Sequence, residues 1–201
     1  MNILAFSDLH MARNRATDLV AAAATADLVL GAGDFCNHRK GLPEAMEMLA
    51  GITAPMVLVP GNAESADELR AAARDNMTVL HGEAATVAGM RCFGLGYGVP
   101  TTPFGDWSCD LTEAEADAML NTCGAADILV LHSPPKGIAD ETSDGLSVGS
   151  TAIRDAITRI QPKLAVCGHI HDSWGVTGRI GRARIANLGP RPNWFDITPI
   201  Q

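Results

Sequence analysis

Residue types that commonly bind metal ions occur in five groups along the chain, and each group follows directly on a short apolar run. The groups are Asp8-Leu9-His10, Gly33-Asp34, Gly61-Asn62, His132 and Gly168-His169-Ile170-His171. Short apolar runs bounded by Gly, Pro or Asp predict buried strands. In open α/β sheets, ligands bind at the carboxyl ends of the strands. The pattern therefore predicts that five strand ends bring these side chains to one edge of a sheet, as a metal site requires.

The side-chain types indicate which ions such a site would hold. Histidines together with carboxylates, without a thiolate, suit Mn, Fe or Zn better than Ca or Mg. The candidate ligands are too many for one tetrahedral zinc, and two ions about 3.5–4 Å apart are a common arrangement for phosphate-ester hydrolysis. A water that bridges two cations loses a proton near neutral pH, and the resulting hydroxide can attack phosphorus. We therefore expect two divalent ions, with Mn as the first candidate and Fe or Zn as alternatives.

Each of these groups also has an explanation that involves no metal. Asp8 would be a solvated aspartate, Asp34 a turn aspartate, and His132 a histidine with a purely structural role. The pair His169 and His171 fits such explanations least well, because both follow one strand end after a glycine. Five groups at five strand ends together favour the metal site.

The first half of the chain alternates predicted strands and helices. Strands are predicted at residues 2–7, 27–32 and 55–59, and helices near 12–24, 43–50 and 65–75. Pro43 suits the first turn of a helix, and Ser65 with Glu68 three residues later forms a capping-box pattern. A βαβαβ succession implies a parallel sheet with right-handed crossovers.

The second half of the chain adds further strands and two long irregular segments. Strands are predicted at 77–80, 127–131 and 163–167, a hairpin at 85–95 turning at Ala88-Gly89, helices at 112–123 and 150–160, and antiparallel β structure at 174–185 and 193–197. The loops 96–110 and 133–149 should form the walls of a substrate pocket. We expect Asp140, Glu141 and Asp144 to be a solvated acidic lid. The predicted architecture is one domain, residues 1–201, with two sheets packed face to face and helices outside.

Composition limits the classes of function. Of the 201 residues, 47% are hydrophobic, which is ample for the core of one domain, yet no apolar run approaches the roughly 18 residues that span a bilayer. Met1 leads directly into the first strand without a signal-peptide pattern. Five cysteines without a C-x-x-C pair indicate reduced thiols with no part in ligation, so a cytoplasmic protein is expected. A net charge of −8 makes a nucleic-acid partner improbable, whereas a metal-loaded site would still attract a small anionic substrate. The oligomeric state is left open, with a homodimer as one option.

In this order, the five groups resemble the motifs of the calcineurin-like metallophosphoesterase superfamily over residues 8 to 171. His132-Ser133-Pro134-Pro135 and the small size resemble its compact phosphodiesterase branch. The resemblance implies an α/β fold, a four-layer αββα sandwich of two mixed β-sheets flanked by helices, acting on a small phosphodiester or phosphomonoester. It assigns Asp8, His10, Asp34 and His171 to a first metal and Asn62, His132 and His169 to a second, with Asp34 as the bridge. The amide group of Asn62 can both bind metal and donate its hydrogens to a phosphate oxygen.

The chain departs from the family pattern after Asn62. Members usually carry Gly-Asn-His followed by an acid, whereas this chain has Gly61-Asn62-Ala63-Glu64. The missing histidine is credited with protonating the leaving oxygen or orienting substrate, and loss of a general acid costs about 10²–10⁴-fold in rate. His38, on the loop after Asp34, is a candidate catalytic substitute, with an ordinary surface histidine as the alternative. Glu64 is expected to orient the Asn62 loop or a metal ligand through a hydrogen bond.

Two other functions remain open at this point. The fold also serves as a protein-binding scaffold, and the missing histidine would suit a catalytically weak member, although a scaffold has no need of seven intact ligand positions. A nuclease of the same superfamily is disfavoured by the acidic composition and by the lack of an additional DNA-binding domain.

Overall fold

The structure, a computed structural model, describes residues 1–197 as two β-sheets and five α-helices. The strands are β1 (Asn2–Phe6), β2 (Leu28–Gly31), β3 (Met56–Leu58), β4 (Met77–Val79), β5 (Glu83–Val87), β6 (Met90–Leu95), β7 (Ile128–Leu131), β8 (Leu164–Cys167), β9 (Thr177–Ile180), β10 (Ala183–Asn187) and β11 (Asn193–Asp196). The helices are α1 (Arg13–Ala23), α2 (Leu42–Met48), α3 (Ala66–Ala72), α4 (Glu113–Leu120) and α5 (Thr151–Ile160). A short 3-10 turn at His171–Ser173 follows β8.

The first sheet contains the predicted βαβαβ unit. Its order is β11-β1-β2-β3-β4, with β1 to β4 parallel and β11 antiparallel to β1. Parallel neighbours place their carboxyl ends at the same edge, so the residues that follow β1, β2 and β3 lie side by side.

The second sheet has the order β5-β6-β7-β8-β10-β9. Strands β6, β7, β8 and β10 are parallel, while β5 and β9 pair antiparallel at the two edges. The hairpin predicted at Ala88-Gly89 is present, and both turn residues have positive φ, as a tight hairpin turn needs. The predicted antiparallel structure is also confirmed, although β11 joins the first sheet and not the second.

Alternating strand residues divide the core into three apolar clusters. Side chains such as Ile3 and Val130 pack between the two sheets, which face each other. Their neighbours, such as Leu4, face α1, α2 and α3 on one outer side, and Leu129 faces α4 and α5 on the other. Helices, sheet, sheet and helices thus form four layers, and the predicted αββα sandwich is confirmed.

Some element boundaries differ from prediction. Helix α3 begins with the predicted capping box between Ser65 and Glu68, but it ends at Ala72 because Ala73 is extended at φ −67° and ψ 148°. Helix α4 ends three residues before Cys123. Within residues 1–197, no helix is long and apolar enough to cross a membrane.

Candidate metal centre

The residues predicted as ligands lie together at the carboxyl edges of both sheets. Asp8, Asp34 and Asn62 follow β1, β2 and β3 of the first sheet, and His132 and His169 follow β7 and β8 of the second. Asp8, Asp34, Asn62 and His132 are all buried, while His10, His169 and His171 are partly buried or exposed. The centre therefore sits where the two sheets meet, with an inner, buried part and an outer part open to solvent.

Glycines beside the ligand-type residues allow the loops to approach each other. A Cβ atom on Gly61 would lie 2.0 Å from Asp34 Oδ1, and one on Gly33 would lie 2.6 Å from His132 Nδ1. A Cβ atom on Gly168 would lie 2.4 Å from Asp8 Oδ2. Real Cβ atoms do not tolerate such distances, so the small residues in the motifs have a steric role at the centre.

Four of the ligand-type residues have left-handed backbone conformations. The φ angles are 52° at Asp8, 45° at His10, 57° at Asp34 and 67° at His169. Such conformations cost of order 1–3 kcal/mol each for residues other than glycine, and they cluster at functional sites. The fold therefore holds these side chains at some cost in stability.

The outer part of the centre is formed by Asp8, His10, His171 and one oxygen of Asp34. His171 Nε2 lies 3.7 Å from Asp8 Oδ1, and His10 Nε2 lies 3.3 Å from His171 Nε2. His10 Nε2 is also 3.5 Å from Asp34 Oδ2. The ligand atoms of Asp8, His10 and His171 all lie within 4.8 Å of one another, as a bound ion would require.

The inner part of the centre is formed by the other oxygen of Asp34 with Asn62, His132 and His169. His132 Nε2 lies 3.6 Å from Asp34 Oδ1 and 3.1 Å from Asn62 Oδ1. His169 Nδ1 lies 3.1 Å from the same Asn62 oxygen. The two Asp34 oxygens thus face the two parts separately, as expected for a bridging carboxylate. Asp8 also lies within 4.8 Å of Asp34 and His132 ligand atoms, so it too borders both parts.

Hydrogen bonds orient the histidines for metal binding. His132 Nδ1 donates to the carbonyl of Ala32 at 2.8 Å, and His10 Nδ1 donates to the carbonyl of Cys36 at 3.2 Å. Each bond fixes the proton on Nδ1 and leaves the Nε2 lone pair facing the centre. Convergent imidazole nitrogens and carboxylate and amide oxygens suit two divalent ions of the Mn, Fe or Zn type. The donor set therefore fits the pair of metals that the sequence predicts.

The cysteines near the centre point elsewhere. Cys36 Sγ donates to the carbonyl of Ala63, and Cys167 Sγ donates to the carbonyl of Ala186. Burial raises the pKa of both thiols above the ordinary value, so neither is poised as a thiolate.

Burial and charge set the protonation of the centre. Burial alone would raise the pKa of Asp8, but the hydrogen bond from His171 and the charge of His132 outweigh it and lower the pKa. Burial lowers the pKa of His169 to about 3, and the neighbouring histidines add to this effect. For His171, burial acts downwards, yet hydrogen bonding and attraction to Asp8 raise the pKa. An ionised Asp8 and a neutral His169 are the forms that bind metal ions.

Glu64 connects two of the ligand-bearing loops, as the sequence predicts. Glu64 Oε1 accepts from the backbone N–H of Asp34 at 2.8 Å and of Gly61 at 2.7 Å, and Oε2 accepts from the backbone N–H of Cys36 at 3.3 Å. Burial, followed by the charge of Asp34, raises the pKa of Glu64 to about 7. The residue thus holds the Asp34 and Asn62 loops against each other.

His38 lies at the exposed rim of the centre. Its ring is 4.2 Å from the ring of Trp107, and both residues line the cavity of about 410 Å³ that contains the centre. Ala63 is 1% exposed and belongs to the apolar cluster under α1, α2 and α3, against which Trp107 also packs. The position that usually carries histidine therefore presents no side chain to this cavity.

Several residues around the centre were not predicted. The Trp174 indole donates to Asp8 Oδ2 at 3.0 Å, Ser7 Oγ donates to the same oxygen, and Ser108 accepts from Asn62 Nδ2 at 3.0 Å. The bond to Ser108 engages the amide group that was expected to bind phosphate. Ser7 directly precedes the predicted ligand Asp8, so its contact with the centre could have been predicted from the sequence. Trp174 and Ser108 lie in irregular segments without periodicity, and no pattern there indicates their contacts.

The two long loops form a cavity beside the centre, as predicted. The cavity measures about 640 Å³ and is lined by residues of both loops, including Pro100, Phe104 and Val148, together with His169. Phe104 and His169 also line the cavity of the centre, so the two spaces adjoin. The prediction that Asp140 is solvated is wrong. Asp140 is 2% exposed, and its carboxylate accepts hydrogen bonds from the N–H groups of Gly137 and Gly149 in its own loop, which fold around it.

Comparisons with known proteins identify the fold and the family of this chain. Human Metallophosphoesterase domain-containing protein 1 is 32% identical over 126 residues, covering 59% of this chain, and the chain spans 36% of the length of that relative. The structure of TT1561 from Thermus thermophilus matches with a TM-score of 0.75 at 16% identity, covering 97% of this chain and 98% of that chain. A dimetal phosphatase from Danio rerio matches with a TM-score of 0.61 at 13% identity, covering 94% of this chain and 88% of that chain. A family model for the calcineurin-like phosphoesterase superfamily domain matches residues 1–196, and the chain therefore belongs to this superfamily of phosphoester hydrolases.

Proposed function

We propose that the protein is a two-metal phosphoesterase that hydrolyses a small phosphodiester or phosphomonoester. The observation that carries the proposal is the position of Asp34, whose two oxygens lie 3.5 Å from His10 Nε2 and 3.6 Å from His132 Nε2. A carboxylate between two sets of histidines suits a bridging ligand in two-metal phosphate chemistry. A donor set of imidazoles and carboxylates without thiolates suits Mn, Fe or Zn, and we propose Mn as the first candidate.

The residues at the centre would bind the ions, hold the loops and donate a proton. Asp8, His10, Asp34 and His171 would hold one ion, and Asp34, Asn62, His132 and His169 the other. Bound ions would supply charge neutralisation at the phosphate oxygens and a lowered pKa for bound water. Glu64 keeps the Asp34 and Asn62 loops in register through its bonds to their backbone N–H groups. His38 at the rim is the group that we propose as proton donor to the leaving oxygen.

The cavity between the two long loops is where we place the organic part of the substrate. It adjoins the centre at His169 and Phe104, and Phe104 is 50% exposed beside it. Proline, valine and phenylalanine side chains in its wall favour an apolar group next to the phosphate. Five free cysteines suit a reducing compartment, and we propose the cytoplasm as the location.

A protein-interaction scaffold is the competing function, and Ala63 is the observation that favours it. A general acid is missing from its usual place, and this would suit a member whose catalysis has weakened. The arrangement of the ligand-type residues speaks against the scaffold, since their positive φ angles cost stability that a scaffold has no reason to spend.

Metal analysis and hydrolysis assays on the same preparation separate the two functions. Protein loaded with Mn should bind two equivalents by elemental analysis and hydrolyse p-nitrophenyl phosphate esters. Asp34→Asn should lose both ions and the hydrolysis, because both parts of the centre use this carboxylate. Two retained equivalents in Asp34→Asn would show that the bridging assignment is wrong. Full metal occupancy without hydrolysis of any aryl ester would favour the scaffold.

A further inference from the structure

A second cavity borders the metal centre on the side of His171. It measures about 510 Å³ and is formed by Arg15 of α1, Trp174 after the 3-10 turn, the segment 188–192 between β10 and β11, and Asn193 at the start of β11. His171 lines both this cavity and the cavity of the centre. A molecule bound at the centre could therefore extend past His171 into this space.

Charge distinguishes this cavity from the two other cavities around the centre, whose linings include Glu113 and Asp34. Its lining contains Arg15 and Arg191 and no carboxylate, although the chain has 23 acidic and 15 basic residues. Within residues 1–197, neither guanidinium group makes a hydrogen bond or an ion pair. By contrast, Arg39 and Arg74 lie beside another cavity, and both form ion pairs with glutamates. The two arginines near His171 are therefore available to bind an anion.

The wall beside the arginines is firmly held. The Trp174 ring lies 4.2 Å from the ring of His171, and its indole N–H donates to Asp8 Oδ2. Gly189 has φ +74°, and a Cβ atom there would lie 2.8 Å from Trp174 Cγ, so only glycine leaves room for the indole. Prolines at 190 and 192 restrict the backbone on both sides of Arg191. The cavity is thus a shaped extension of the centre with two arginines in its lining.

We propose that this cavity binds a second phosphate group of the substrate, whose scissile phosphoester lies at the metal centre. Arginine forms bidentate, charge-assisted bonds to phosphate, and two unpaired arginines without competing carboxylates suit a doubly charged group. The substrate class is then a phosphoester that carries an additional phosphate, not a simple monoester. This inference rests on the proposed function, because it takes the centre as the site of the first phosphate.

Non-hydrolysable phosphonates test the inference through binding. The probes are ethane-, propane- and butane-diphosphonates, each compared with the corresponding alkylphosphonate by calorimetry on the Mn-loaded protein. At least one diphosphonate should bind about tenfold more tightly than its monophosphonate, as expected for added bonds to charged groups. Arg15→Gln and Arg191→Gln should each reduce this advantage, and the double variant should abolish it. Alkylphosphonate affinity should stay unchanged in all three.

Arg13→Gln is the matched control. Arg13 lies on the same helix and is exposed, but it does not line the cavity. Arg13→Gln should keep the full preference for diphosphonates. Any removal of Mn by the probes would affect this variant as much as the others, so it cannot account for a difference between variants. Equal affinity of mono- and diphosphonates, absence of binding by both, or an advantage that survives in the double variant would each overturn the inference.

The two proposals fail in different ways. Arginine-dependent preference for diphosphonates without hydrolysis of aryl esters would leave the second phosphate site in place and remove the proposed catalysis. Hydrolysis of aryl esters without any preference for diphosphonates would support the proposed catalysis and rule out the second phosphate site.

Discussion

A single alanine determines how this centre can treat its leaving group. Ala63 is 1% exposed, and its backbone N–H donates to Asp34 Oδ1 at 2.8 Å. Its side chain cannot supply a proton, so the leaving oxygen must depart as an anion or take a proton from water or another side chain. Among the residues that line the centre, His38 is exposed and is not one of the predicted ligands. Its ring packs on Trp107 and so has a defined position.

Replacing His38 should therefore separate good from poor leaving groups. For His38→Ala we expect kcat to fall about tenfold or more with alkyl phosphate esters and much less with p-nitrophenyl esters, because only poor leaving groups need a proton. Metal content should not change. His81→Ala is the control, since the His81 ring packs against Tyr97 at 4.2 Å and does not line the cavity of the centre. An equal loss with both ester classes would mean that His38 orients the substrate.

Residues at the centre were predictable from sequence to the extent that strand ends position them. The residues predicted as ligands lie together because each follows an apolar strand, and that pattern is local. Trp174 and Ser108 hydrogen-bond to Asp8 and Asn62 from irregular segments, and nothing in their neighbours' spacing indicates these contacts. The position of Asp140 in a polar loop predicts a solvated side chain, whereas its burial depends on how that loop folds back on itself.

The strand-to-loop transitions are the elements that shape the site. Each places a ligand-type residue in a strained backbone or beside a glycine that permits close approach. Strand positions were predictable because apolar runs are strong signals, whereas helix ends depended on local φ and ψ, as at Ala73. The long loops had no periodicity, so only their place beside the site could be anticipated.

Glycine substitution tests the importance of close approach at a strand end. Gly168 lies outside the left-handed region, so its replacement by alanine adds a steric clash with Asp8 Oδ2 and no φ strain. Gly168→Ala should displace Asp8 and lower the bound metal to about one equivalent or less. Overpacking should reduce the free energy of unfolding by about 1–3 kcal/mol. Elemental analysis and urea unfolding measure the two effects.

Gly124→Ala is the matched control for this change. Gly124 is exposed, and a Cβ atom there would meet nothing within 4 Å. It should keep both metal equivalents and nearly the full stability. If Gly168→Ala behaved like Gly124→Ala, the Asp8 carboxylate would not need its present position.

At the scale of the whole molecule, the centre joins the two sheets. Asp8, Asp34 and Asn62 come from the first sheet, and His132 and His169 come from the second. Between the sheets, apolar side chains such as Ile3 and Val130 pack together, and this packing provides no directional bonds. Ions held by ligands from both sheets would add directional bonds across this interface, so metal binding should stabilise the whole fold.

Thermal unfolding with and without Mn measures this coupling. An ion that binds only the folded state adds about 2.7 kcal/mol at a free concentration 100 times Kd, which corresponds to a rise in Tm of about 5–10 °C for a chain of this size. Excess chelator should remove the rise, and Asp34→Asn should show none. His169→Ala removes a ligand contributed by the second sheet and should lose part of the rise. If His169→Ala kept the full rise, His169 would make no contribution to the coupling between metal binding and the stability of the fold.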